Sequence, residues 1–134
     1  AKLFDNLLVA VAVNSSKPTM FDLQDRLKLV EIVSSRYPNV NFGSYEGLTI
    51  DFANTHNTNV IVRGVRNSSD FNYESQIAQM NNTMDKALES IFFIASDPFK
   101  SITSSLVRQV ISLNGDYSKF ISKDVANHLE KIKK

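Results

Sequence analysis

Leu7-Leu8-Val9-Ala10-Val11-Ala12-Val13 is an unbroken apolar run that stops at Asn14-Ser15-Ser16. Its length suits a strand and falls far short of a bilayer span. Unbroken apolar character, without alternation, predicts a strand covered on both faces, as in a parallel sheet. Phe21 to Arg36 follows, with apolar residues at Phe21, Leu23, Leu27, Val30, Ile32 and Val33 and with Asp22 and Asp25 near its start. That spacing predicts an amphipathic helix, ended by Tyr37-Pro38-Asn39.

The alternation then repeats. Val40-Asn41-Phe42 reads as a short strand, Leu48 to His56 as a short helix and Asn59 to Val62 as the next strand. Ser69 or Asp70 can cap a helix running to about Thr83. Glu89 to Ala95 carries Ile91-Phe92-Phe93-Ile94, a further buried strand, and helices are expected over Thr103 to Leu113, stopped by Asn114-Gly115, and over Lys123 to Ile132. Phe4, Phe21, Phe52, Phe92 and Phe93 are assigned to core faces. Strands alternating with helices imply right-handed crossovers and an α/β domain with a doubly wound parallel sheet. No repeat, low-complexity tract or linker divides residues 1–134, so one domain is expected.

Composition narrows the function classes. Fifteen basic and 14 acidic residues leave a net charge of +1, which gives little support to a nucleic-acid partner. No segment suits a membrane or a signal peptide. The absence of cysteine excludes disulfide and thiolate chemistry and fits a cytosolic protein. His56 and His128 have no partners at metal-ligand spacing, so no metal site is expected on protein ligands. No Walker loop, GxGxxG, GxSxG or zinc pattern appears.

In doubly wound folds, ligands bind beyond the carboxyl ends of the strands. Three such ends suit phosphate. Asn14-Ser15-Ser16-Lys17-Pro18 offers hydroxyls and a lysine, or is simply a solvated polar loop. Arg63-Gly64-Val65-Arg66 places two arginines around a glycine where the backbone approaches something closely. Guanidinium forks bind phosphate through paired, charge-assisted hydrogen bonds, although these two could instead bridge to Asp70 and Glu74. Ser96-Asp97-Pro98-Phe99-Lys100-Ser101-Ile102-Thr103-Ser104-Ser105 leads into a helix, where free N–H groups and the dipole favour an anion. Ordinary capping by Thr103 or Ser104 is the simpler use of the same residues. Together the three loops favour a nucleotide or another polyphosphate.

These residues also carry a resemblance. Arg63-Gly64-Val65-Arg66, then Asp70-Phe71-Asn72-Tyr73-Glu74 and Gln79-Met80-Asn81, closely resembles the signature of the bacterial phosphopantetheine adenylyltransferase family. Ser101-Ile102-Thr103-Ser104-Ser105 is similar to that family's ISSS loop. Ser16-Lys17-Pro18-Thr19-Met20-Phe21 resembles its lysine loop, and Gly47-Leu48-Thr49-Ile50-Asp51-Phe52 its pantetheine-side helix. The matches run through essentially the whole chain in the family's order.

The resemblance implies a Rossmann-like nucleotidyltransferase domain that moves AMP from ATP onto 4′-phosphopantetheine, giving dephospho-coenzyme A and pyrophosphate. It implies that Lys17 stabilises the charge developing on the α-phosphate and incoming phosphate. Arg63 would hold the acceptor's phosphate, with Leu48 and Thr49 along the pantetheine arm. Gly64, Val65, Arg66, Glu74 and the loop Phe99, Lys100, Ser101, Ile102, Thr103, Ser104 and Ser105 would form the ATP site. Magnesium arriving with ATP, a homohexamer and a cytoplasmic location are implied likewise.

One departure is large. The family opens with a strand, a Gly-Thr-Phe-Asp-Pro loop and an HxGH motif, and none of these is in the sequence. By the family pattern Ala1 falls near the end of the first helix, so the authentic protein is expected to carry about two dozen further N-terminal residues that form a buried strand and nucleotide loop. A non-catalytic nucleotide-binding module, or a related nucleotidyltransferase with another phosphate acceptor, are the rival functions.

Overall fold

Strands and helices alternate along the chain in the computed structural model, which describes residues 1–14 and 19–132. The order is β1 (Leu7–Val13), α1 (Leu23–Ser34), β2 (Val40–Glu46), α2 (Thr49–Thr55), β3 (Val60–Val65), α3 (Ser68–Met84), β4 (Glu89–Ile94), α4 (Asp97–Lys100), α5 (Ser104–Ser112) and α6 (Lys123–Ile132). β1 pairs with β2 in parallel, from Leu7 opposite Val40 to Val13 opposite Glu46. β3 pairs with β4 in parallel, from Val60 opposite Glu89 to Val65 opposite Ile94. Each pair is joined through a helix, the crossover that parallel neighbours require. The α/β class with parallel strands, expected from the alternation of elements, is therefore present.

Contacts divide the chain into two compact units, Ala1–Glu46 with Ser104–Lys134, and Gly47–Thr103. In the first unit, buried Ile111, Tyr117, Ala126 and Leu129 form the core, packed by Phe21, Leu29, Val107, Val110, Ile121 and Val125. Asp22 caps α1 by accepting from the Asp25 N–H at 2.8 Å, which is worth about 1 kcal/mol in typical helices. Arg26 Nη2 donates to the Ala12 carbonyl at 2.9 Å and ties that helix to β1. The expected stop at Asn114-Gly115 is real. Asn114 takes φ 55°, the Gly115 N–H donates back to Val110 O at 2.8 Å, and a Cβ on Gly115 would lie 3.0 Å from Val110 Cγ1.

The second unit is held by Ile50, Ala53 and Leu88, with Ile61 against them. Three expectations need correction here. β3 does not end at Val62 but runs to Val65, because Arg63, Gly64 and Val65 continue the ladder opposite Phe92, Phe93 and Ile94. The cap of α3 is neither Ser69 nor Asp70 but Asn67, whose side chain accepts from the Asp70 N–H at 2.9 Å. Phe93 is 41% exposed rather than core. Successive strand residues face opposite ways, so Phe92, which meets Phe71 edge-to-face at 5.4 Å, points away from it. Coverage of the apolar strands is also partial; Val11 is the buried residue of β1.

Candidate functional site

Two guanidinium groups mark the carboxyl end of β3. Arg63 lies in the strand and Arg66 one residue past it, just before the Asn67 cap of α3. The helix then presents Asp70 and Glu74 one turn apart, on a shared face. Glu74 takes Arg63 side-on: Nε donates to Oε2 at 2.7 Å and Nη2 to Oε1 at 2.8 Å. Asp70 takes Arg66 in the same manner, with Nε donating to Oδ2 at 2.7 Å and Nη2 to Oδ1 at 3.2 Å. The Arg66 backbone N–H also donates to Asp70 Oδ2, at 3.2 Å.

The bridges to Asp70 and Glu74 that the sequence allowed are thus formed, and they decide the orientation of both forks. An arginine held along its Nε–Nη2 side has a second edge, Nη1–Nη2, whose two parallel N–H donors match a phosphate or carboxylate. At Arg66, Nη1 donates to the carbonyl of Ile102 at 3.4 Å, so that end is turned toward the segment following α4. Hydrogen bonding with Arg66 holds the Asp70 carboxyl below its ordinary range, and the same bonding raises Arg66. Both groups therefore stay charged at neutral pH.

Gly64 sits between the arginines in extended backbone, and a Cβ built on it would meet no described atom within 4 Å. Neither backbone conformation nor packing among the described residues demands glycine at this position. What glycine leaves is an uncovered stretch of main chain beside two cations. Gly47 is different: its φ of 92° is left-handed, and this turn delivers Leu48 as the N-cap residue of α2, ahead of Thr49. Leu48 is exposed.

The segment after β4, expected as loop, contains the short helix α4. In α4 Pro98 occupies the first turn, and Lys100 Nζ pairs with Asp97 Oδ1 at 2.8 Å in an exposed bridge. Phe99 is exposed, and its carbonyl accepts from the Ile102 N–H at 3.2 Å. Thr103 closes the second unit, whereas Ser104 and Ser105 open α5 in the first. Within the second unit hydrogen bonds bring together Arg63, Arg66, Asp70, Glu74 and Ile102. Lys17, the expected charge-stabilising lysine, lies outside the described residues. His56 is committed elsewhere, with Nδ1 2.9 Å from Phe52 O and its ring against Phe52. The residue missed from sequence was Asn67; an Asn at a strand end, three residues before an Asp, is a capping signal.

Comparison with known proteins adds two findings. The family model described as cytidylyltransferase-like matches residues 1–110. Among curated proteins, the phosphopantetheine adenylyltransferase of Lachnoclostridium phytofermentans is 39% identical over 125 residues, covering 93% of this chain and 77% of that protein. The one of Clostridium perfringens (strain ATCC 13124) is 38% identical over 130 residues, 97% of this chain and 79% of its own length. That of Burkholderia vietnamiensis is 41% identical over 133 residues, 98% and 81% respectively.

Proposed function

Because the chain belongs to the phosphopantetheine adenylyltransferase family, within the cytidylyltransferase-like nucleotidyltransferases, we propose that it transfers AMP from ATP to 4′-phosphopantetheine in coenzyme A biosynthesis. The observation that carries this reading is identity of 37–41% with proteins of that name along almost the entire chain. The paired arginine forks at the end of β3 supply a physical reason for it.

In the reaction, an oxygen of the acceptor's phosphate attacks the α-phosphorus of ATP in line. The bond from that phosphorus to the bridging oxygen of pyrophosphate breaks, and pyrophosphate leaves with the electron pair. Phosphoryl-type transfers ask little covalent chemistry of the protein, so positioning and charge stabilisation carry the rate. Arg63 holds the acceptor's phosphate, and Leu48 and Thr49 lie along its pantetheine arm. Gly64, Val65, Arg66 and Glu74 with residues 99–105 hold ATP, and Arg66 meets the β- and γ-phosphates. Lys17 neutralises charge that grows at the α-phosphorus. The side-on pair of Arg63 and Glu74 supports a mechanical link between acceptor and nucleotide subsites.

Magnesium enters this reading as the companion of ATP. Among the described residues no group of three or more His, Cys, Asp or Glu is arranged to hold a metal ion. A homohexamer and a cytoplasmic location complete the proposal, both by family likeness. No described helix is long and apolar enough to cross a membrane.

Incubating the full-length enzyme with ATP and 4′-phosphopantetheine and following pyrophosphate and dephospho-coenzyme A tests the assignment. Turnover with both substrates supports it. ATP binding without turnover would make the chain a nucleotide-binding module. Turnover only with a different phosphate acceptor would make it another nucleotidyltransferase.

A further inference from the structure

We infer that Asp70 is a positioning residue of the nucleotide site: it fixes the Arg66 fork so that the Nη1–Nη2 end faces the segment around Ile102. The inference rests on the reading of Arg66 as a phosphate ligand and adds to it a residue that does not itself touch ATP. Four observations carry it. Asp70 accepts three hydrogen bonds from a single residue, two from the guanidinium and one from the Arg66 main chain. It therefore fixes both the root and the head of that side chain. Its own main-chain N–H is anchored by Asn67 at 2.9 Å, so the carboxylate stands on a capped helix end rather than on a loop. The pair is partly shielded, with side chains 35% and 26% exposed, unlike the open Lys100–Asp97 bridge. Finally, at the fork end left by Asp70, Nη1 donates to the Ile102 carbonyl at 3.4 Å, which fixes the direction in which that end points.

An unrestrained arginine spreads over many rotamers, and gathering them on binding costs affinity. A carboxylate along the Nε–Nη2 side meets that cost during folding and leaves one end for the ligand. It also imposes a competing requirement, because a negative charge stays close to the bound phosphates. Positioning and repulsion predict opposite signs when the carboxylate is removed, which makes the role measurable.

The test is a KM and kcat comparison for ATP and for 4′-phosphopantetheine in full-length Asp70→Asn, Asp70→Glu, Arg66→Ala and the Arg66→Ala/Asp70→Asn double variant, with melting temperatures. Asp70→Asn is expected to raise KM for ATP about tenfold while kcat and KM for the acceptor change little, as loss of orientation does when the chemistry itself is intact. Asp70→Glu keeps the charge but moves it by one methylene, and a smaller rise of the same kind is expected. It also serves should the asparagine variant fail to fold. In the Arg66→Ala background, Asp70→Asn should add nothing to KM for ATP, because its effect passes through the guanidinium.

A merely structural Asp70 would lower the melting temperature with KM for ATP unchanged, which overturns the inference. Tighter ATP binding in Asp70→Asn overturns it also, in favour of a repelling charge. If Arg66→Ala raises KM for ATP and Asp70→Asn does not, positioning alone fails. If neither does, the assignment of Arg66 to the phosphates fails with it.

Discussion

Replacing Gly64 with alanine is expected to make the protein more stable and less active at once. A Cβ there meets no described atom within 4 Å, and the backbone is extended, so the folded state accepts the methyl without strain. Glycine in a strand interior weakens it, and removing unfolded-state freedom at a compatible site stabilises by about 0.4–1 kcal/mol. The gain should therefore be about 0.5–1 kcal/mol, read as a higher urea midpoint with an unchanged slope. Function should move the other way. If the Gly64 main chain meets the nucleotide, the methyl occupies the ligand's place, and a displacement on the order of 1 Å lowers turnover or affinity by about tenfold or more. The assay pairs urea denaturation with KM and kcat for ATP on the same preparation. A lower midpoint would refute the claim that the space is open. An unchanged KM for ATP with a raised midpoint would show that nothing approaches this backbone, and Gly64 would leave the site.

Three further outcomes are expected. Leu88→Ala removes three carbons from a side chain only 2% exposed; at about 0.8 kcal/mol per buried carbon, plus the residual cavity, the loss should be about 3 kcal/mol in a urea titration. Asp22→Ala deletes the α1 cap seen at Asp25 N–H and should cost about 1 kcal/mol by the same titration, leaving KM for ATP unaltered. Arg66 holds Asp70 below its ordinary value of 3.8, so the ionised carboxylate stabilises the fold above that value and the contribution disappears as pH falls through the lowered one. Asp70→Asn should accordingly flatten the acid side of the stability profile, measured by melting temperature between neutral pH and acid, while a parallel curve would contradict the pairing.

Periodicity made the alternating elements legible, since Leu7–Val13 and Glu89–Ile94 are read from residue type alone. The end of β3 was not legible. Arg63 and Gly64 look like loop residues, and only the ladder to Phe92 and Phe93 keeps them in the strand. Phe93 shows the same limit: in a run of four apolar residues, residue type cannot say which face is covered. At the site, the residue types were legible but their pairing was not. Arginine chemistry permitted both a phosphate ligand and bridges to Asp70 and Glu74, and the structure contains the bridges without using the outer end of the Arg66 fork on a carboxylate. Residue type does not single out Asn67, because Ser69 and Asp70 offer equally good caps nearby and the choice among adjacent cap residues depends on where the strand ends.

The arginine–carboxylate pairs span 11 residues for Arg63–Glu74 and four for Arg66–Asp70. Such contacts close short loops, so they cost little chain entropy and do not wait on distant parts of the chain. The pairing itself is thus confined to Arg63–Glu74, supported by the β4 ladder within the second unit, whereas the core around Leu129 belongs to the first. Damage to that core should reduce how much of the protein is folded while leaving each folded molecule's arginine geometry intact. Loss of activity from such lesions would then be recovered by cooling or by a stabilising osmolyte, a remedy that an insertion in the first turn of α3 would not share.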